Sequence, residues 1–135
     1  MKQAIYIVPY KVNGIQIPAR IQATLARSYL NEINGNFELP KTESLLDNNL
    51  PVLRDLVRQK YDTIIMYSHL MLATKEGLAM LKEKINQDSS DKTLFYFTFS
   101  KRLMDEKRVF SEIKSKIRHN KFGFNWESRM VKEQD

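Results

Sequence analysis

The sequence contains no cysteine, only four glycines and four prolines, and just two histidines. Without cysteine there are no disulfides, thiolate metal sites, Fe–S clusters or thiol nucleophiles, and the chain fits a reducing compartment. Four glycines leave little capacity for a glycine-built phosphate cradle, and no GxGxxG, GxxxxGK[ST] or GxSxG motif occurs. His69 and His119 stand far apart with no HExxH pattern, so a preformed zinc site is not expected. The longest apolar runs are about half a dozen residues, against the ~20 that a membrane-spanning helix needs. The amino-terminal stretch lacks the length and cleavage site of a signal peptide. A cytoplasmic protein with no cofactor is the expectation.

The 135 residues are 42% hydrophobic and 28% charged, which is the balance of a globular chain able to bury a core without cross-links. Net charge is +6, pointing to an anionic partner: nucleic acid, a membrane surface or a phosphorylated small molecule. Residues 1–100 carry 12 basic and 10 acidic side chains, whereas residues 101–135 carry 10 and 6. Most of the excess therefore lies in the last quarter of the chain.

Two periodicities alternate along the sequence. Strands are expected at Ala4–Val8, Gly35–Leu39, Thr63–Tyr67 and Thr93–Phe97, the last two apolar on both faces. Between them Ile17, Ile21, Leu25, Leu30 and Ile33 mark a helix from about Pro18 to Asn34, with Gly35 as its stop. Asn49 is a candidate cap for a helix beginning at Pro51, with Leu53, Leu56 and Val57 inward. Thr74 opens a third helix, buried through Leu78, Leu81 and Ile85, and a fourth runs from about Asp105 to His119. The order β-α-β-α-β-α-β-α predicts an open, mostly parallel sheet of four to five strands with helices on both faces, a three-layer α/β sandwich. It predicts one domain over residues 1–119. Residues 120–135 read as an arm whose Phe122, Phe124 and Trp126 pack back onto the domain or onto a second subunit. A platform for nucleic acid would also mix aromatics with basic residues.

In such a sheet ligands bind at the carboxyl ends of the strands. Three loops converge there. The first, Tyr10–Pro18, carries Asn13-Gly14 and leads into a helix bearing Arg20, Thr24 and Arg27 on nearly one face. The second carries Glu43 between Thr42 and Ser44, and the third is Tyr67-Ser68-His69, three groups able to relay a proton. Each has a plainer alternative: solvated arginines, a solvated loop carboxylate, and a buried tyrosine beside a capping serine.

These residues also carry a resemblance. Asn13-Gly-Ile-Gln-Ile-Pro-Ala-Arg-Ile-Gln22, continuing to Arg27-Ser-Tyr29, resembles the NGxxxPxRxQ…RxY signature of the sporadic carbohydrate cluster proteins. Thr42-Glu43 and Tyr67-Ser68 match that family's motifs after strands two and three, although its Leu-Pro is Leu72-Ala73 here. The resemblance implies a place in bacterial surface-polysaccharide (O-antigen-type lipopolysaccharide) biosynthesis, and no established reaction. More distantly, the strand and helix order resembles the catalytic domain of serine recombinases. Its nucleophile and arginine positions fall on Tyr10, Val8, Met71 and Thr74, so that chemistry does not carry over.

Two readings follow from these residues and the resemblance. In one, the protein binds or modifies an anionic sugar intermediate such as a nucleotide sugar. Arg20 and Arg27 then hold phosphate or carboxylate, and Asn13 and Gln22 hold sugar hydroxyls. Glu43 acts as general base, with Tyr67, Ser68 or His69 as proton donor. In the other, the chain is a non-catalytic binding or assembly module for a carbohydrate-cluster enzyme. Homodimerisation suits the apolar arm, and nucleic-acid binding is the weakest reading.

Overall fold

A computed structural model of the protein describes residues 2–36, 38–44, 49–59, 61–87 and 92–118. His119 and the aromatic arm lie outside the described residues. Every residue of β1 (Gln3–Ile7) and β3 (Thr63–Met66) is buried, because each strand is covered on both faces. They form the centre of a five-stranded sheet of order β2-β1-β3-β4-β5. Here β2 is Pro40–Thr42, β4 Leu94–Phe97 and β5 Arg102–Asp105. The first four strands are parallel and β5 returns antiparallel to β4.

The helices divide unequally between the two faces. Helix α1 (Ala19–Glu32) sets Ala23, Ala26 and Leu30 against Ile5, Ile7 and Ile65. Helices α2 (Pro51–Arg58), α3 (Lys75–Asn86) and α4 (Glu106–Arg118) close the other face. There Leu53, Leu56, Met80, Leu81, Val109 and Ile113 pack on Tyr6, Ile64, Met66, Phe95 and Phe97. The expected α/β sandwich with helices on both faces is what the chain forms.

Three local expectations need correction, and one element is new. The second strand begins at Pro40 rather than ending before it, since a proline is tolerated as the first residue of an edge strand, pairing here with Ile5. Helix α1 ends through Asn34, not Gly35: Asn34 takes the left-handed conformation at φ 54°. The Gly35 N–H then donates to Leu30 O and the Asn34 N–H to Asn31 O, a Schellman closure. Leu50, not Asn49, is the cap residue of α2, at φ 55° and with no side-chain cap of its own. Finally β5 occupies a segment to which the sequence pattern assigned no element, and it is the fifth strand of the expected four to five. It is formed by a tight return in which Lys101, at φ 57°, donates its N–H to Phe97 O. Helix α4 then starts on Asp105, whose Oδ1 accepts from the Arg108 N–H.

Candidate functional site

The carboxyl edge of the parallel strands is where the three sequence-predicted loops meet. Glu43 follows β2 and is 2% exposed. Its Oε1 accepts from the Tyr6 hydroxyl at 2.7 Å and the Leu53 N–H at 3.1 Å. Its Oε2 accepts from the Ser44 N–H at 2.9 Å and the Val52 N–H at 3.1 Å. A carboxylate offers about four acceptor positions, and all are taken. Glu43 thereby supplies the cap that Leu50 lacks, placing negative charge on the free N–H groups that open α2. Burial, and then the charge of Glu43, push the Tyr6 phenol well above its usual pKa.

The β1–α1 loop is built the same way. Asn13 and Gly14 both have positive φ, 51° and 80°, and form the two-residue turn that such a pair favours. Val12 and Ile15 close it with paired backbone hydrogen bonds of 2.9 Å. The turn folds over the crevice between β1 and β3, where Asn13 Nδ2 donates to Leu70 O and Ala73 O. Gln22, buried on the first turns of α1, accepts from Val8 N–H and donates to Val8 O and Ile17 O. Both amides thus join the chain to itself at the switch point of the sheet.

After β3, Ser68 is buried and its Oγ accepts from the Leu70 N–H, capping the short 3-10 turn His69–Leu72. Tyr67 is half-buried, its ring tilted against Phe99 at 5.5 Å. His69 stands edge-on to Phe97 at 5.8 Å and is 8% exposed. Burial, reinforced by Lys116 and Arg102 and opposed by Glu112, lowers its pKa to about 4, so its ring is neutral at physiological pH. Among the described residues His69 Nε2, Asn13 Oδ1 and Thr98 Oγ1 are buried without a hydrogen-bond partner.

Arg20 and Arg27 are exposed on α1, with Thr24 Oγ1 between them donating to Arg20 O. They lie across the sheet from Glu43, whose Tyr6 partner belongs to the core beneath α2, α3 and α4. A groove of about 290 Å³ between α2 and α3 is lined by Arg54, Arg58, Met80, Glu83, Lys84 and Gln87 among others. A wider hollow of about 540 Å³ beside β2 includes Lys41, Val52, Asp55 and Tyr61. Neither is lined by any of the eight sequence-predicted residues. The described residues contain no group of three His, Asp or Glu placed to hold a metal ion.

Tyr6 is the residue that sequence reasoning passed over. A tyrosine inside an apolar strand is itself the signal, because a buried phenol needs a partner. The charge is also more sharply placed than its total indicated. Residues 101–118, which are β5, α4 and the bend before them, hold seven basic and three acidic side chains, whereas 119–135 hold three of each. Arg102 forms a two-pronged pair with Glu112 at 2.8 and 3.2 Å, Arg108 approaches the same carboxylate at 3.8 Å, and Lys101, Lys107 and Lys114 are exposed on this segment.

Comparison with known proteins finds no matching family model, no matching curated protein and no matching solved structure. The class defined by the fold is an open α/β sheet protein whose fifth strand is antiparallel.

Proposed function

We infer that the chain is a non-catalytic binding or assembly module, acting in surface-polysaccharide biosynthesis as its sequence resemblance implies. The observation that carries this reading is the Glu43 carboxylate, buried and engaged by four donors. A general base needs a lone pair within reach of the substrate proton, and Glu43 has none to offer. Asn13, Gln22 and Ser68 are similarly engaged with backbone groups. Glu43, Asn13, Gln22 and Ser68 thus shape the loops at the carboxyl edge. The excess of basic residues over 101–118 suits that segment to an acidic partner.

A second reading keeps an anionic sugar, such as a nucleotide sugar, as a ligand, because Arg20 and Arg27 are both exposed on α1. Calorimetric titration with a panel of nucleotide sugars, coupled to mass analysis of each mixture, separates the two. The module reading expects no turned-over product and no saturable heat. Turnover that disappears in Glu43→Gln, at a temperature where that variant remains folded, would overturn it. Saturable binding lost in Arg20→Ala would favour the second reading. Retention of duplex DNA in a gel shift, weakening steeply with salt, would instead favour nucleic acid.

A further inference from the structure

Strand β2 is an outer strand, and among the described residues no strand lies beyond it. Its register with β1 decides which backbone groups stay open. Ile7 pairs with Thr42, and Ile7 O accepts from the Glu43 N–H at 2.9 Å. Backbone groups along a strand turn alternately to its two sides, so those of Lys41 and Glu43 face β1 and those of Thr42 face outward. Pro40, two residues earlier, also turns its carbonyl outward and has no N–H to offer. The open edge therefore presents the Thr42 N–H and the carbonyls of Pro40 and Thr42.

A hollow lies beside this edge. Lys41 pairs with Tyr6, whose ring belongs to the core beneath α2, so the exposed Lys41 side chain stands on that same face, next to α2. With Val52, Asp55, Leu56 and Arg58 of α2, and with Tyr61, it lines the hollow of about 540 Å³. Binding clefts usually measure about 300–1,000 Å³. Leu56 is buried and Val52 half-buried, which gives the hollow an apolar floor. Lys41 and Arg58 are exposed cations with no hydrogen-bond or ion-pair partner among the described residues. Asp55, the acid among these lining residues, already accepts from Gln59 Nε2 at 2.6 Å. Two unpaired cations above an apolar floor complement a ligand that carries carboxylates and apolar groups together.

We propose that this edge receives an extended, acidic segment of a partner protein, which adds to the sheet as a strand beside β2. Its alternate side chains, a carboxylate and an apolar group two residues apart, enter the hollow against Lys41, Arg58 and Leu56. The main-chain bonds are few, because β2 is short and Pro40 lacks a donor, so the hollow supplies the selectivity. A small anion would leave the open backbone groups unused. A second copy would bring its own Lys41 and Arg58 against the first pair, and like charges on neighbouring strands repel. The proposal rests on the assembly-module reading and gives the partner a place apart from residues 101–118.

The probe is a blocked octapeptide repeating threonine-valine-threonine-glutamate, which when extended presents valine and glutamate alternately on one side. The same peptide with lysine in place of glutamate is its counterpart. Titrated into the isotope-labelled full chain, the glutamate peptide should shift the amide signals of Lys41, Thr42, Val52 and Leu56 saturably. The bound Thr42 amide should exchange with solvent at least about tenfold more slowly. The lysine peptide should bind more weakly, and Lys41→Glu should reverse that order. Thr42→Pro removes the outward N–H and leaves the bond from Glu43 to Ile7 in place. With helix content by circular dichroism equal to the parent's, it should bind the glutamate peptide about tenfold more weakly or worse. If it does not fold, Thr42 exchange in the parent and the Lys41→Glu reversal decide. The proposal is overturned by the absence of a saturable shift, by equal binding of the two peptides, or by binding that leaves Thr42 exchange unchanged. Shifts confined to residues 101–118 would overturn it too, while the assembly-module reading would stand. A dimer that Thr42→Pro converts to monomer would assign the edge to a second copy and overturn it equally.

Discussion

The Tyr6 hydroxyl donates to Glu43 Oε1 at 2.7 Å inside the protein, joining the central strand β1 to the loop that caps α2. Two neighbouring strands and one helix start are thereby fixed by a single carboxylate. Tyr6→Phe removes one of its four donors and should cost about 1.5–3 kcal/mol, a usual loss for a buried hydrogen bond to a charged group. Glu43→Gln should cost more, at least about 2 kcal/mol, because an amide NH2 then faces N–H and O–H donors. Urea denaturation of both variants and of the double variant checks this. The double loss should fall short of the two single losses added, since both act on one network.

The same pair predicts behaviour in alkali. Burial, and next the charge of Glu43, raise the Tyr6 pKa well above the ordinary 10.0. Above pH 10 the unfolded chain releases that proton while the folded chain keeps it. This contribution to stability is complete below pH 10 and declines as pH rises toward the folded pKa. In Tyr6→Phe the fall in urea midpoint above pH 10 should be shallower than in the parent chain. An unchanged slope would remove Tyr6 as its source.

His69 acts in the opposite pH range. Its folded pKa is about 4 against an ordinary 6.5, first through burial and then through Lys116. Between those values the unfolded chain binds a proton that the folded chain refuses. Stability is unaffected by His69 above pH 6.5 and falls as pH drops toward 4. His69→Gln should flatten the loss of urea midpoint between pH 7 and 5. If both proteins lose the same amount, other groups govern the acid limb.

Regular elements were legible wherever a single periodicity ran for several residues. The apolar run at Ile64–Met66 read as a strand covered on both faces and is one, whereas Phe95–Phe97 lies in a strand whose alternate residues Leu94 and Tyr96 are only half-buried, and α3 begins at Thr74 as its sequence indicates. Edges and ends were less legible because long-range contacts decide them. Pro40 starts a strand only because Ile5 lies alongside, and Leu50 can adopt φ 55° because Glu43 caps the helix from another loop. β5 exists because Phe97 and Arg102 pair across a tight bend that has no glycine. At the candidate site, residue type was informative but allocation was not. Asn13, Gln22 and Glu43 are the polar residues that matter at the carboxyl edge, yet their partners, backbone groups and the Tyr6 hydroxyl, come within reach only in the folded chain.

The two glycines nearest that edge should respond differently to alanine. Gly14 has φ +80°, and an added Cβ would meet nothing within 4 Å. Gly14→Ala therefore pays only for the left-handed conformation, about 1 kcal/mol. Gly77 sits in the first turn of α3, where a Cβ would collide with Leu72 O and lie 2.9 Å from Leu72 C. Those are backbone atoms of the turn after β3, so the turn or the helix must move, and overpacking of this kind costs about 2–3 kcal/mol. Alanine's better helix propensity offsets about 1 kcal/mol of that at most. Thermal and urea unfolding should rank Gly77→Ala as the more damaging change. The displaced turn also holds Leu70 O and Ala73 O, the acceptors of Asn13. Gly77→Ala combined with Asn13→Ala should therefore lose less than the two separate losses together, whereas fully additive losses would mean that the β1–α1 loop and the turn after β3 are not coupled.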